Sequence, residues 1–210
     1  MTEAQLIRRV VKPILWVLGL APLGWQIYAF LTGHLEAEPV KGMEHFTGRT
    51  AIIILFITLT ITPIRRLTGI NGLIKVRRLI GLFAFFYALV HFSIFLVFDL
   101  ELSLGQLAGE VVKRPWITIG FAALVILTVL AITSPQAMVR RLGKRWQKIH
   151  RFVYLAAVLG IVHFLWSQKK DQSLPIKYAV VLGVIFLVKI LTNRRGGTKA
   201  PRAVRASTAS

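Results

Sequence analysis

The stretch KRWQKIHRFVYLAAVLGIVHFLW, residues 144–166, begins as a basic segment with aromatic side chains and continues as an apolar run. His150 lies where the apolar run begins, and His163 lies deep inside it. Of the other histidines, only His91 falls within an apolar run. A basic and aromatic flank followed by uncharged apolar residues is typical of a helix that enters a membrane. The stretch therefore predicts a membrane helix that carries a buried histidine.

The composition of the whole chain also indicates a membrane protein. Of its 210 residues 55% are hydrophobic, and the mean hydropathy of +0.66 is too high for a soluble domain. The absence of cysteine excludes disulfides, thiolate metal sites, iron–sulfur clusters and cysteine nucleophiles. The net charge of +19 would suggest nucleic acid in a soluble protein. Here basic loops that face the cytoplasm and anionic lipid explain it better, and we expect no nucleic-acid partner.

Six apolar runs predict an all-α bundle of six membrane-spanning helices, because a span needs roughly 20 residues. Two of the runs have only 15 residues, so their helices should extend into polar flanks. The first run follows three basic residues, as in a signal peptide, but it is longer than the usual signal-peptide core of about 7–15 residues and is expected to be retained. The runs are Ile14–Leu31, Thr50–Ile64, Leu79–Phe98, Trp116–Thr133, Phe152–Trp166 and Leu174–Thr192.

The distribution of Lys and Arg predicts that both termini lie in the cytoplasm. With that orientation, 20 of the 27 Lys and Arg residues fall on the inner side, which is the side that basic residues favour. The bundle should occupy residues 1–192. Residues 193–210 form a basic tail rich in small residues, which we expect to be disordered and attracted to lipid.

His91 and His163 are the primary candidates for a functional site, because an ionisable residue inside a span is costly. They lie 13 and 12 residues beyond Arg78 and Arg151, the inner borders of their spans. Their depths therefore match, and both spans run outward. Small residues at i−3 and i−7 accompany each histidine and permit close helix packing or a flat macrocycle. Two imidazoles on one haem iron suit electron transfer; hydrogen-bonded core histidines or a zinc site are the alternatives.

The remaining polar candidates each have two interpretations. His150 is either a third haem ligand or an interfacial histidine, since it lies about 140° from His163 on an ideal helix. His45 is either a contact of a second site or a residue bonded to a loop or helix end. Arg49 either snorkels or pairs with a haem propionate. His34 is expected to be an ordinary loop residue.

A basic patch precedes the fifth span. It is either the charge signal of a cytoplasmic loop or a dock for an anionic flavin or a cytosolic donor protein. Its residues are Arg140, Arg141, Lys144, Arg145 and Trp146.

Three segments resemble a known family. PVKGMEHFTGRTA (39–51), RRLIGLFAFFYALVH (77–91) and SPQAMVRRLGKRWQKIHRFVYL (134–155) are similar to the MsrQ (YedZ) family. Its members are haem-binding membrane subunits of bacterial methionine sulfoxide reductase systems, and they belong among the ferric reductase-like transmembrane proteins.

The resemblance implies one or two b-type haems in six helices of the bacterial inner membrane. It implies electron delivery to MsrP, a periplasmic molybdopterin-containing subunit that repairs oxidised methionine in proteins. The donor would be the quinone pool or a cytosolic flavin reductase, and FMN a further cofactor. The family's haem histidines correspond to His91, His150 and His163. The related oxidases have a further histidine where this chain has Arg77, so a second haem would lack an obvious partner for His150.

The predicted function is thus a haem electron-transfer subunit whose partner carries out the sulfoxide chemistry. Its outer loops, residues 33–44 and 99–114, would meet that partner through their acidic side chains. A small transporter or metal permease with buried histidines is the alternative, although no span contains a carboxylate for proton coupling. A scaffold without a cofactor is a third possibility.

Overall fold

The computed structural model describes residues 2–34, 38–168 and 171–197, and in these residues the chain is helical with no strand. Six helical segments are long and apolar enough to cross a membrane, which confirms the predicted all-α bundle. The helices are α1 (Glu3–Leu6), α2 (Lys12–Leu31), α3 (Pro39–Thr68), α4 (Leu73–Ile94), α5 (Leu104–Lys113), α6 (Pro115–Ile132), α7 (Gln136–Leu142), α8 (Lys144–His150), α9 (Val153–Ser167) and α10 (Ser173–Gly197), with π-helical turns at Ile7–Val11 and Phe95–Asp99.

The two short apolar runs belong to longer helical segments, as their lengths required. α3 has 30 residues and begins well before the apolar run at Thr50. The fifth span covers 24 residues and joins α8 to α9. A turn at Arg151–Phe152 interrupts it, so His150 and His163 do not lie on one regular helix.

The sixth span is longer than its apolar run. α10 continues to Gly197, past the predicted boundary at Thr192. Most of the predicted tail, residues 198–210, lies outside the described residues. So do Lys169 and Lys170, which the count of Lys and Arg residues included.

Four helices, α3, α4, α6 and α9, surround the main core, with α10 packed against α3 and α9 and with α2 packed against α4. The core is apolar because there the helices bury their sides against one another rather than against lipid. The residues that fill it include three alanines, which let the helix backbones approach closely. These core residues are Leu55, Leu59, Ala84, Leu127, Ala156, Ala157, Ile161 and Leu182.

The connections between spans differ in charge at the two ends of the bundle. We call the end of the bundle at which α2, the π-helical turn Phe95–Asp99 and α9 finish the acidic end. Residues 69–72 and 133–143 connect spans at the other, basic end. At the acidic end lie the described carboxylates Glu38, Glu44, Asp99, Glu101, Glu110 and Asp171.

Tyr87 ties α2 to α4 at the position of a proline. Pro22 lies inside α2, where it removes one backbone hydrogen bond and disturbs the preceding turn. The hydroxyl of Tyr87, which is fully buried, donates to the carbonyl of Gly19 at 2.7 Å and accepts from the amide of Leu23 at 3.0 Å. In an unbroken helix these two groups pair directly. The tyrosine therefore satisfies the backbone of the kinked turn and fixes the first span to the third.

Tyr87→Phe should destabilise the protein by about 1–3 kcal/mol, because it removes the hydroxyl that the partly buried backbone groups of Gly19 and Leu23 both use. The measurement is unfolding of the detergent-solubilised protein by SDS. Tyr28→Phe is the control, since Tyr28 lies on α2, the helix that Tyr87 contacts, but is 54% exposed. Equal stability of the two variants would contradict this role of Tyr87.

Candidate functional site

His91 on α4 and His163 on α9 face each other across the acidic half of the bundle. Their ring centres lie 6.1 Å apart, and their planes are inclined by 71°. Both line a cavity of about 1090 Å³, at the upper end of the range for small-molecule sites. The structure therefore places the two buried histidines of the sequence side by side at one ligand-sized cavity.

Each imidazole is anchored through the same ring nitrogen. The Nδ1 of His91 lies 3.0 Å from the carbonyl oxygen of Glu44 on α3, and the Nδ1 of His163 lies 2.7 Å from the carbonyl oxygen of Trp116 on α6. A carbonyl only accepts hydrogen bonds, so each Nδ1 must be the protonated donor. In a neutral imidazole the proton on Nδ1 leaves the lone pair on Nε2, which is then free to bind a metal.

The spacing of the rings fits two ligands of one metal ion. An imidazole nitrogen binds a transition metal at about 2 Å, and the ring centre lies about 1 Å behind that nitrogen, so two opposed ligands have ring centres about 6 Å apart. Within the described residues, no group of three or more His, Cys, Asp or Glu side chains is placed to hold a metal. The pair thus lacks the third and fourth protein ligands of a typical zinc site, so a metal held by these two histidines would take its remaining ligands from a bound group.

The small residues beside the histidines have two roles. Ala88, Gly160 and Ala156 line the cavity, whereas Ala84 is completely buried in the core. The remaining walls are mostly apolar, with Phe92, Phe95 and Phe121 near the histidines. This arrangement provides both the space for a flat group and the close helix packing that the sequence left as alternatives. The other apolar wall residues include Ala51, Ile52, Leu55, Ala123, Leu124, Leu127 and Phe164.

Charged side chains surround the acidic end of the cavity. Arg49 lines it and holds its Nε 3.1 Å from the carbonyl of His45, one turn earlier on α3. The Nε2 of His45 lies 3.2 Å from the side-chain amide of Gln168, just after α9. His45 therefore makes the bond to a helix end that the sequence suggested. The other charged residues around the cavity are Lys41, Glu44, Asp99, Glu110, Lys113 and Arg114.

His150 lies elsewhere and is not part of the cavity wall. Its Nε2 is 3.1 Å from the hydroxyl of Thr133, and that hydroxyl donates its only proton to the carbonyl of Val129 at 2.7 Å. The hydroxyl oxygen must then accept from His150, so Nε2 carries the proton. Trp146 stacks on the imidazole with ring centres 4.1 Å apart, and the cation of Arg77 is close enough for a direct charge interaction.

The basic patch divides into two kinds of residue. Trp146 is held in the fold, because its indole nitrogen donates to the carbonyl of Thr133 at 3.0 Å. The four charged members lie on α7 and α8 and are exposed to the surroundings. They are Arg140, Arg141, Lys144 and Arg145.

Sequence reasoning did not identify the groups that orient the histidines. Backbone carbonyls have no signature in a sequence, so Glu44 and Trp116 were not named as histidine partners. A signal was nevertheless present, because Gly48 and Gly120 each precede a buried histidine by 43 residues. Both glycines lie against the imidazoles.

Comparison with known proteins agrees with this geometry. The profile of the ferric reductase like transmembrane component family matches residues 47–161, a range that includes His91 and ends two residues before His163. The chain belongs to the ferric reductase-like transmembrane family. Its six apolar spans and this family membership show that it is a multi-pass membrane protein.

Individual relatives within this family are similar over most of their length. A protein of Herminiimonas arsenicoxydans is 45% identical over 184 residues, which are 86% of this chain and 84% of the relative. Proteins of Brucella ovis and Brucella suis are 42% identical over 177 residues, which are 84% of this chain and 80% of each relative. All three are named protein-methionine-sulfoxide reductase heme-binding subunit MsrQ.

Proposed function

We propose that this chain is a b-type haem electron-transfer subunit of a methionine sulfoxide reductase system in the bacterial inner membrane. The observation that carries the proposal is the histidine pair, with both Nδ1 atoms bonded to carbonyls and ring centres 6.1 Å apart. The names of the relatives, heme-binding subunits of such systems, support it.

The residues of the cavity suit a haem. The Nε2 atoms of His91 and His163 would hold its iron, and the small and aromatic side chains between α3, α4, α6 and α9 would surround its apolar ring. Arg49 is the candidate partner of a propionate, because its guanidinium lies at the charged end of the same cavity. A haem with two imidazole ligands supplies one-electron transfer and has no open position for oxygen chemistry. The protein holds the ligands, excludes water and balances the propionate charge.

The side-chain arrangement favours one haem rather than two. His150 presents a protonated Nε2 to Thr133, and its neighbours are a stacked indole and an arginine, neither of which binds iron. We therefore infer that His150 helps to pack α8 against the end of α6.

His150→Ala should leave the haem-to-protein ratio and the low-spin spectrum unchanged, because His150 does not reach the cavity. The pyridine haemochrome assay, with the protein concentration measured independently, gives the ratio. The exposed His34, bonded to Thr32 in the loop after α2, supplies the control variant His34→Ala. A fall of about half in the ratio for His150→Ala alone would show that His150 holds a second haem.

The polarity of the two ends suggests the orientation of the bundle, and the family resemblance suggests the electron donor and acceptor. The basic end would face the cytoplasm and anionic lipid, consistent with the preference of Lys and Arg for that side. Electrons would enter there from the quinone pool or a cytosolic flavin reductase, with FMN and the exposed cations of α7 and α8 as the docking elements. They would leave at the acidic end toward a periplasmic molybdopterin-containing partner, MsrP. Reporter fusions at both termini test the orientation, which a periplasmic reporter signal would contradict.

A transporter or metal permease remains the alternative from another class. In such a protein the histidines would bind the transported ion only transiently. The ion would need ligands that exchange quickly and a route past the pair. The matched carbonyl anchors instead hold each ring in a fixed orientation, which suits a permanent cofactor.

The deciding experiment is the absorption spectrum of the protein purified in detergent from haem-replete cells. We expect a Soret band that shifts on dithionite reduction and a sharp alpha band of low-spin haem. A colourless preparation that is folded and monodisperse would remove the electron-transfer proposal.

A further inference from the structure

The two cavity histidines are held by the same local arrangement, repeated once in the chain. His91 bonds to the carbonyl of Glu44, 47 residues earlier, and His163 bonds to the carbonyl of Trp116, also 47 residues earlier. In both cases the residue four positions after the acceptor is a glycine, Gly48 on α3 and Gly120 on α6. The two arrangements are related by a shift of 72 residues along the sequence.

The position of each glycine follows from helix geometry. In a helix the carbonyl of residue i already accepts the amide of residue i+4. The imidazole must therefore reach the second lone pair of the same oxygen, past the side of residue i+4. A side chain at that residue would stand beside the approaching ring.

The space at each glycine shows how close the rings come. A Cβ on Gly120 would lie 2.6 Å from the Nδ1 and 2.9 Å from the Cε1 of His163, too close for any side chain without movement of the ring. A Cβ on Gly48 would lie 3.2 Å from the Nδ1 and 3.3 Å from the Cε1 of His91, which demands a smaller shift. Gly183 on α10, by contrast, has no atom within 4 Å of its Cβ position.

We propose that Gly48 and Gly120 are positioning residues of the haem site, which admit the imidazoles to the carbonyls of Glu44 and Trp116 and thereby set ligand orientation and reduction potential. The proposal rests on the proposed function, because it requires His91 and His163 to be the axial ligands. A donated Nδ1 hydrogen bond makes an imidazole a stronger electron donor to its metal, which favours the oxidised state. Loss or lengthening of that bond should therefore raise the reduction potential.

The test compares Gly48→Ala, Gly120→Ala and the control Gly183→Ala in the full-length, detergent-purified protein. Three quantities are measured: the haem-to-protein ratio, the electron paramagnetic resonance spectrum of the ferric low-spin haem, and the midpoint potential by redox titration. We expect Gly48→Ala to keep its haem but to show shifted g-values and a higher midpoint potential. Gly120→Ala should show a larger effect, with haem affinity lowered by about tenfold or more. Gly183→Ala should match the wild type.

The outcomes separate the two proposals. If the wild type binds haem and both Gly48→Ala and Gly120→Ala keep the wild-type g-values and midpoint potential, the role of the glycines is overturned. The proposed haem site would then still stand. A wild type without haem would remove the proposed function itself. If Gly120→Ala does not fold, Gly48→Ala decides, because its steric demand is small and its expected change is spectroscopic.

Discussion

His163→Ala is expected to abolish the low-spin haem spectrum of the purified protein, and His91→Ala should do the same. With its Nδ1 bonded to a carbonyl, each imidazole has only Nε2 left as a metal ligand, and the one other histidine that lines the described cavity is His45 at the charged end. Removal of either ring leaves five-coordinate iron at most, which changes the spin state and weakens retention. The absorption spectrum, electron paramagnetic resonance and haem content measure the loss.

The control for both variants is His34→Ala, which removes an exposed imidazole bonded to Thr32 outside the cavity. Exogenous imidazole added to either alanine variant should restore part of the low-spin signal, because it can occupy the vacated position. Retention of full low-spin haem by one of the two variants would show that the pair is not the ligand set.

Gly160→Phe is expected to exclude haem although both ligands remain. Gly160 lies one turn before His163 and lines the cavity, with no atom within 4 Å of its Cβ position. A phenyl group there would project into the cavity and occupy the space of the macrocycle rather than displace a neighbouring helix. The haem-to-protein ratio should fall close to zero while the variant remains monodisperse and helical.

Gly183→Phe is the matched control for this cavity-filling change. Gly183 also lies within a span, on α10, and has open space at its Cβ position, but it does not line the cavity. It should bind haem as the wild type does. A wild-type ratio in Gly160→Phe would mean that haem, if bound, lies outside this cavity.

The six spans were predictable because they depend on a local property. A run of apolar residues is favourable in lipid whatever its neighbours are, and a helix is the structure that satisfies its backbone there. Even the extension of the short runs followed from length alone, as α3 and the α8–α9 segment show. The short helix α5, by contrast, lies within what was expected to be an outer loop, since ten residues at a bundle end need tertiary contacts to be helical.

The candidate site was only partly predictable. The cost of burying an imidazole and the equal depth of two such residues singled out His91 and His163, and the structure places them together. His150 resembled them in sequence. Its surroundings distinguish it from them, because Thr133 bonds to its Nε2 and Trp146 stacks on its imidazole.

The sequence by itself determined that this chain spans a membrane six times and buries two histidines at equal depth, because hydropathy and helical rise are properties of each segment alone. Only the tertiary structure decided which nitrogen each histidine presents. That choice depends on carbonyls of Glu44 and Trp116 that approach from other helices, and on glycines that let the rings reach them. These hydrogen bonds join helices that are far apart in the chain. They therefore depend on how the helices pack, which no single segment determines.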